Sequence, residues 1–317
     1  VRRLLCHEPR GHADMYGCFL VPPDDDGADF GAVFWHNDGY STACGHGTIA
    51  LGVWAVESGR VTAEPDGEHT GDAPGAGMVT ETVVTVDVPS GRVTARVRCR
   101  DSLVEMVTFR NVPSYVLARA VPVPTSSGTV EVDVAYGGAV YASVAAQAFG
   151  LTVVPESYAE LITAGREVKR ALDGADVARH PSDERLSGVY GTILYDDLGD
   201  LPDGPHQRNV TVFADGEVDR SPCGSGTSAR LALLAADGRL DGGPGGRAPH
   251  GHSGPGGRVL RHDSIVGTTF IARVVARTTS EGRDAVVSEV DGTAFRTGEH
   301  RFTLDPRDQL GTGFVLR

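Results

Sequence analysis

The sequence lacks the features of disulfide-rich, zinc-binding, membrane-spanning and secreted proteins. Its 317 residues include five cysteines, an odd number without CxxC spacing, which fits neither a disulfide framework nor a zinc ribbon. No apolar run approaches the roughly 20 residues that span a bilayer, and the first residues contain no secretory hydrophobic segment. We therefore expect five free thiols, no membrane partner and a cytoplasmic location.

Positive charge is also scarce. The 29 Lys and Arg residues are outnumbered by 42 Asp and Glu residues, which gives a formal net charge of −13. Because no basic stripe or cluster is present to neutralise phosphates, nucleic acid is excluded as a partner. Walker and dinucleotide-binding glycine motifs are missing as well. The expected partner is a small-molecule substrate, and the sequence is compatible with a homodimer.

One cysteine motif occurs twice in the chain. Cys44–Thr48 has the sequence CGHGT, and Cys223–Thr227 has the sequence CGSGT. Each motif leads into an Ala/Leu-rich segment that ends near Gly59 or Gly238, and glycine suits the left-handed residue beyond a helix end. Each half of the chain is therefore predicted to contain a strand, a cysteine turn and a helix ended by glycine.

Alternating or β-branched stretches predict strands before each cysteine turn and in several hairpins. The predicted strands cover residues 18–21, 30–35, 80–88, 92–97, 130–134, 140–144, 189–195 and 210–213. An amphipathic helix is predicted over 156–172. Residues 241–257 are rich in Gly, Pro and His and are expected to form a flexible surface insertion, in which His250 and His252 are too weak a signal for a metal site. The simplest architecture is a sheet-rich α/β (α+β) protein with two similar lobes.

The positions of two cysteines predict reactive thiols. A helix N-terminus stabilises a thiolate through unpaired N–H groups and its dipole, and the glycines after Cys44 and Cys223 allow turns that aim amides at a carboxylate. Two such turns facing each other would hold one small anion between two thiols. One thiolate would remove a proton from a carbon acid while the opposing thiol protonates the other face. This chemistry inverts a stereocentre and needs neither a cofactor nor a metal.

Other interpretations of the same residues stand beside this one. His46 is either a histidine satisfied within its turn or a substrate ligand. Asp219 is a turn cap, a surface ion pair with Arg220, or a ligand for a substrate ammonium or ring nitrogen. A Cys-His hydrolase built on Cys44 and His46 is sterically awkward within one turn. The other three thiols are expected to be structural: Cys6, Cys18 and Cys99.

Three segments together resemble the proline racemase family: His7–Gly17 (HEPRGHADMYG), Gly39–Thr48 (GYSTACGHGT) and Asp219–Thr227 (DRSPCGSGT). The family includes proline racemases, hydroxyproline 2-epimerases and trans-3-hydroxyproline dehydratases. The resemblance covers nearly the whole chain and implies a diaminopimelate-epimerase-like fold. In that fold two pseudo-symmetric lobes each curl a β-sheet around a central helix, and the site lies in the cleft between them.

The resemblance also implies where the lobes lie. The first lobe is expected to span residues 1–120, joined by the C-terminal tail at about 296–317, and the second lobe is expected to span residues 121–295. Family members usually carry a further strand, with a His-Thr-x-Gly-Glu segment, upstream of His7–Gly17. The sequence begins without it, which predicts an exposed sheet edge in the first lobe.

By motif, the resemblance implies a role for seven residues. Cys44 and Cys223 would be the acid/base thiols. Four residues would bind the substrate carboxylate through backbone amides: Gly45, His46, Gly224 and Ser225. Asp219, together with His46, would face the substrate nitrogen.

The resemblance leaves the reaction open between branches of the family. Dehydratases usually carry Thr at the position of Cys223, so this cysteine favours a racemase or 2-epimerase of proline or hydroxyproline. Residues 136–141 and 190–194 are instead more similar to the dehydratase branch. The alternatives are a trans-3-hydroxy-L-proline dehydratase and, from another class, a catalytically inactive amino-acid-binding homologue.

Overall fold

The computed structural model describes residues 1–62, 78–241 and 257–316. The predicted surface insertion at 241–257, with His250 and His252, lies almost wholly outside the described residues. Four α-helices form in the described ranges: α1 (Arg2–Cys6), α2 (Gly45–Glu57), α3 (Tyr158–Ala171) and α4 (Gly224–Ala236). Across those ranges, no helix has the length and apolar character that crossing a membrane requires.

Strands make up most of the regular structure. The described strands are β1 (Tyr16–Val21), β2 (Phe30–His36), β3 (Tyr40–Ser41), β4 (Val79–Val88), β5 (Gly91–Arg100), β6 (Leu103–Arg110), β7 (Ser114–Thr125), β8 (Gly128–Tyr136), β9 (Val140–Ala145), β10 (Val189–Leu201), β11 (Gly204–Phe213), β12 (Glu217–Asp219), β13 (Leu260–Ser264), β14 (Thr269–Ser280) and β15 (Arg283–Gly292). Every strand that the sequence predicts is confirmed, and so is the helix predicted at 156–172, observed as α3.

The strands form one continuous sheet, part of which closes on itself. Their order is β1-β2-β4-β5-β6-β15-β14-β13-β11-β10-β9-β8-β7, with β3 on β2 and β12 on β11. Closure follows because β15 pairs with β7 as well as with β6. The ring from β15 round to β7 surrounds α4, which contacts β7, β8, β9, β14 and β15, whereas α2 packs on β4, β5 and β6.

The β5 strand shows how the sequence determines which face of the sheet is buried. Its side chains at 93, 95, 97 and 99 are buried, and the side chains between them are more exposed. This alternation follows from the strand geometry, in which successive side chains point to opposite faces.

The two helices behind the cysteine turns begin and end as predicted. Cys44 is the N-cap of α2, and Cys223 is the N-cap of α4. Beyond the two helix ends, Gly59 and Gly238 both have a φ of +69°, the left-handed conformation that glycine adopts without a steric cost. All residues of α4 from Gly224 to Ala235 are buried, as expected of a helix with almost no polar face.

The buried apolar side chains form two large clusters. One surrounds α2 and includes Phe30, Phe34 and Phe109. The other packs α3 against the strands from β7 to β11 and includes Tyr115 and Leu161. The predicted boundary at residue 120 falls inside β7, which pairs with β8 on one side and β15 on the other. The bounds of the two lobes stay a prediction.

The tail after β15 has no helix or extended strand within residues 293–316. Phe314 and Glu8 exchange backbone hydrogen bonds of 3.0 and 3.2 Å, and Arg10 donates to the carbonyl of Gly311 at 2.9 Å. These contacts bring the tail to the first residues of the chain.

Candidate active site

The N-termini of α2 and α4 meet directly. A Cβ atom added to Gly45 would lie 2.7 Å from the Cα of Gly224, and a Cβ on Gly224 would lie 2.7 Å from the Cα of Gly45. Only glycine therefore fits at either position. The Gly45 amide donates a hydrogen bond to Ser225 Oγ at 3.1 Å. The meeting brings the positive ends of two helix dipoles together, which favours a bound anion.

Cys44 precedes the first of these helices. Its backbone is extended, with a φ of −152°, and its Sγ accepts a hydrogen bond from the Gly47 amide at 3.2 Å. Its side chain is buried. The Gly47 amide therefore points at the Cys44 sulfur, as expected at a helix N-terminus, where the first N–H groups have no partner within the helix.

Cys223 precedes the second helix with a different geometry. Its φ is +64°, a left-handed value that a non-glycine residue adopts at a cost. Its amide donates to Ser221 Oγ at 3.0 Å, and its Sγ lies 3.7 Å from the Tyr141 hydroxyl oxygen. Burial, followed by the nearby Asp219 carboxylate, raises the pKa of the Cys223 thiol well above its usual value. Cys223 is therefore a neutral thiol near neutral pH.

His46 and Asp219 form an ion pair beside the two turns. His46 Nδ1 lies 3.1 Å from Asp219 Oδ2 and 3.2 Å from Ser221 Oγ. Burial opposes the charge on His46, but Asp219 and Cys44 raise the pKa of the imidazole well above its usual value. Burial likewise opposes the charge on Asp219, but His46 and Ser221 lower the pKa of that carboxyl. Both members of the pair are therefore charged near neutral pH.

These residues line one small cavity. All seven site residues predicted from the sequence lie on it: Cys44, Gly45, His46, Asp219, Cys223, Gly224 and Ser225. Asp219 is 8% exposed and pairs with His46, so it is not part of a surface ion pair with Arg220. Its Oδ1 accepts from the Ser221 amide at 2.9 Å, which is the contact of a turn cap. The catalytic and binding roles of the seven residues stay predictions.

Ala43 and four aromatic side chains complete the cavity. None of the four was predicted from the sequence as a site residue: Tyr16, Tyr141, Tyr190 and Phe213. Tyr190 stacks on Phe213 with ring centroids 5.6 Å apart, and its hydroxyl donates to that of Tyr16 at 3.3 Å. Tyr16 and Phe213, with His46 and Asp219, also line a larger open pocket. The sequence signal was a tyrosine or phenylalanine within a strand, which does not distinguish a cavity from a core.

The cysteines and the acidic side chains give no sign of a metal centre in the part of the chain that the structure describes. No group of three or more His, Cys, Asp or Glu side chains there is placed to hold a metal ion. All five cysteines are free thiols, which confirms the prediction from their number and spacing. Three of them lie away from the cavity: Cys6, Cys18 and Cys99.

Known proteins resemble the whole chain. Residues 1–315 match the family model described as proline racemase. The trans-3-hydroxy-L-proline dehydratase of Bacillus cereus is 40% identical over 316 residues, which cover 100% of this chain and 86% of the relative. The 3-hydroxyproline 2-epimerase of Burkholderia multivorans is 42% identical over 320 residues, with the same two coverages.

Two crystal structures are similar over 99% of the chain. A probable proline racemase from Agrobacterium radiobacter, with bound carbonate, has a TM-score of 0.84 and 31% identity, with 84% of that protein covered. A hydroxyproline epimerase from Agrobacterium vitis, with bound trans-4-hydroxy-L-proline, has a TM-score of 0.84 and 33% identity, with 82% covered. The chain belongs to the proline racemase family, and the predicted diaminopimelate-epimerase-like fold is confirmed.

Proposed function

We propose that this member of the proline racemase family is a racemase or 2-epimerase of proline or hydroxyproline that works through Cys44 and Cys223 without a cofactor. The observation that carries the proposal is the meeting of α2 and α4, which brings both cysteines to one small cavity. An acid and a base that flank one carbon are what inversion of that carbon requires.

The substrate carboxylate would bind where the two helices meet. Fixed amide donors stabilise the charge that develops on the carboxylate when the α proton leaves, which makes that proton easier to remove. Four amides would contribute: Gly45, His46, Gly224 and Ser225. The Gly45 amide, bonded to Ser225 Oγ at 3.1 Å, would exchange that partner for the substrate. Asp219 would accept a hydrogen bond from the ring ammonium, next to His46.

The surroundings of Cys223 support its role as the acid. Its raised pKa keeps its proton in place, which leaves the role of base to Cys44, whose sulfur accepts a hydrogen bond from the Gly47 amide. Cys44 would remove the α proton, and Cys223 would deliver its own proton to the opposite face. The enzyme is then left with a protonated Cys44 and a Cys223 thiolate, the state that catalyses the reverse reaction.

Dehydration of trans-3-hydroxy-L-proline is the second candidate. It is supported by relatives named trans-3-hydroxy-L-proline dehydratase, which are 40% to 42% identical to this chain. In that reaction one thiolate takes the α proton, the electron pair forms a C2–C3 double bond, and the C3 hydroxyl takes up that proton from the thiol and leaves as water. One base is sufficient for this, so the second thiol, Cys223, favours inversion.

The deciding experiment is proton NMR in D2O under reducing conditions. L-proline, trans-4-hydroxy-L-proline and trans-3-hydroxy-L-proline are incubated separately with the protein. Loss of the α-proton signal together with appearance of the inverted product supports the proposal. A dehydrated product from the 3-hydroxy compound alone supports the second candidate. Binding of the planar mimic pyrrole-2-carboxylate, with no deuterium in any substrate, would identify an inactive binding protein.

Two variants connect the outcome to the thiols. Cys223→Thr should abolish inversion and leave any dehydration intact, because threonine is no acid/base at neutral pH. If inversion survives that change, the two-thiol assignment is wrong. Cys99→Ala is the matched control, since it removes a free buried thiol that lies away from the cavity.

A further inference from the structure

Part of the cavity is left without a role by the proposed mechanism. The helix N-termini take the carboxylate, and the His46–Asp219 pair takes the nitrogen. The two thiols take the α carbon. Apart from Ala43, the remaining lining is aromatic and is left to face the substrate ring from C3 onward: Tyr16, Tyr141, Tyr190 and Phe213.

The Tyr141 hydroxyl is the unusual group in this lining. Tyr141 is 1% exposed, and burial raises the pKa of its phenol well above the usual value, so the hydroxyl keeps its proton. Within the described ranges, its hydrogen-bond partner is Cys223 Sγ alone, at 3.7 Å, and the thiol is the donor in that contact. The phenolic proton is thus left with no acceptor besides sulfur, which accepts weakly.

Tyr190 differs in this respect. Its hydroxyl donates to the Tyr16 hydroxyl at 3.3 Å, so the Tyr190 proton has an oxygen acceptor. A buried hydroxyl with a poor partner is costly and gains from a ligand that supplies an acceptor. A ring hydroxyl of the substrate is an acceptor of this kind.

The position of Tyr141 indicates which carbon of the substrate ring bears this hydroxyl. Cys223 Sγ must approach the α carbon to protonate it, and the Tyr141 oxygen lies 3.7 Å from that sulfur. An oxygen on C3 is two bonds from the α carbon, whereas an oxygen on C4 is three bonds away. The nearer position places the C3 oxygen within reach of the phenol.

We propose that Tyr141 is a specificity-determining residue that donates a hydrogen bond to a hydroxyl on C3 of the substrate ring. The preferred substrate is then 3-hydroxyproline, ahead of proline and 4-hydroxyproline. This inference rests on the proposed function, and it holds for inversion and for dehydration, because the hydroxyl is bound at C3 in both.

Tyr141→Phe removes the hydroxyl and keeps the ring. The test compares this variant with the unchanged protein on trans-3-hydroxy-L-proline, trans-4-hydroxy-L-proline and L-proline, using α-proton exchange in D2O to obtain kcat/KM. The unchanged protein should prefer the 3-hydroxy substrate. In the variant the ratio of kcat/KM for trans-3-hydroxy-L-proline to that for L-proline should fall roughly 10- to 100-fold, the effect of one lost hydrogen bond in a buried site.

Tyr115→Phe is the matched control. The Tyr115 hydroxyl is also buried and has no hydrogen-bond partner in the part of the chain described, but it lies in the cluster around α3 and does not line the cavity. Its removal should leave the substrate ratio unchanged.

The outcomes separate this inference from the proposed function. No exchange with any substrate by the unchanged protein would count against the proposed function itself. Exchange that is fastest with 4-hydroxyproline or proline, or an equal loss on all three substrates in Tyr141→Phe, would overturn the role of Tyr141 and leave the two-thiol proposal standing.

Discussion

Cys44 and Cys223 begin helices of equal length, 13 residues each, with nearly the same five-residue motif, yet their surroundings differ. Cys44 has an extended backbone and a sulfur that accepts from the Gly47 amide. Cys223 has a φ of +64° and a sulfur next to Tyr141, with the Asp219 carboxylate nearby. The repeated motif therefore places a thiol before each helix, but the backbone and the neighbours of the two thiols differ.

Replacing each thiol in turn should have the largest effect on the rate of inversion. We expect Cys44→Ser and Cys223→Ser each to lower the rate of inversion by about 10²- to 10⁴-fold, the usual contribution of an acid or base. Each variant keeps one thiol, so it should still exchange the α proton of one enantiomer with solvent deuterium. Proton NMR of the two enantiomers should show exchange of opposite ones, and exchange of the same enantiomer by both variants would refute the two-sided arrangement.

The two glycines at the meeting of α2 and α4 should be equally intolerant. Gly45→Ala and Gly224→Ala each place a Cβ 2.7 Å from the opposite Cα, so each should cost about 1–3 kcal/mol of unfolding free energy and most of the activity. Thermal unfolding and the inversion rate measure both effects.

The control for these variants is Gly39→Ala. An added Cβ at Gly39 meets nothing within 4 Å, so this variant should keep its stability and activity. If Gly45→Ala or Gly224→Ala behaves like Gly39→Ala, the helices do not approach as closely as described.

Asp219→Asn tests whether the His46–Asp219 pair is charged, because it removes the carboxylate. The pKa of His46 is raised. The contribution of His46 to the free energy of unfolding is therefore complete below about pH 6.5 and is lost as the pH rises through the pKa of His46 in the folded protein. The pKa of Asp219 is lowered. The contribution of Asp219 to the free energy of unfolding is therefore complete above about pH 3.9 and is lost as the pH falls through the pKa of Asp219 in the folded protein. The stability difference between the unchanged protein and Asp219→Asn should therefore be largest between about pH 4 and 6.5.

Its size should be about 1–2 kcal/mol, less than for a fully buried pair because one third of the His46 side chain is exposed. Thermal unfolding against pH measures it. The variant should also lower the pKa of Cys223, whose proton Asp219 helps to retain, so alkylation of Cys223 should begin at a lower pH. A pH-independent stability difference would show that the pair is not charged.

The last pair of variants concerns the helix ends, where the two halves are most alike and the two losses should differ least. Gly59→Ala and Gly238→Ala both force an alanine to a φ of +69°, which costs about 1–2 kcal/mol in either case. Denaturant unfolding should give equal losses within a few tenths of a kcal/mol. A large difference between the two would mean that the helix ends are not equivalent.

Much of this arrangement could be predicted from local sequence patterns. The strand alternation of β5 and the caps at Cys44 and Cys223 were predicted because each depends on a few consecutive residues. The glycine helix ends follow in the same way. The aromatic lining was missed, since a tyrosine such as Tyr141 in a strand has the same pattern whether it faces a core or a cavity. A local pattern also could not predict that Asp219 pairs with His46 and not with Arg220, because His46 is 173 residues away in the chain.

By itself the sequence determined the family, the sheet-rich fold and the two cysteine turns, because these depend on motifs and on periodicity along the chain. Only the tertiary structure decided which distant groups meet. His46 and Asp219 are 173 residues apart in the chain, and Tyr141 and Cys223 are 82 apart. The protonation of Cys223 depends on such contacts, because burial and a neighbouring carboxylate, rather than the cysteine's own motif, determine the cost of charging its sulfur.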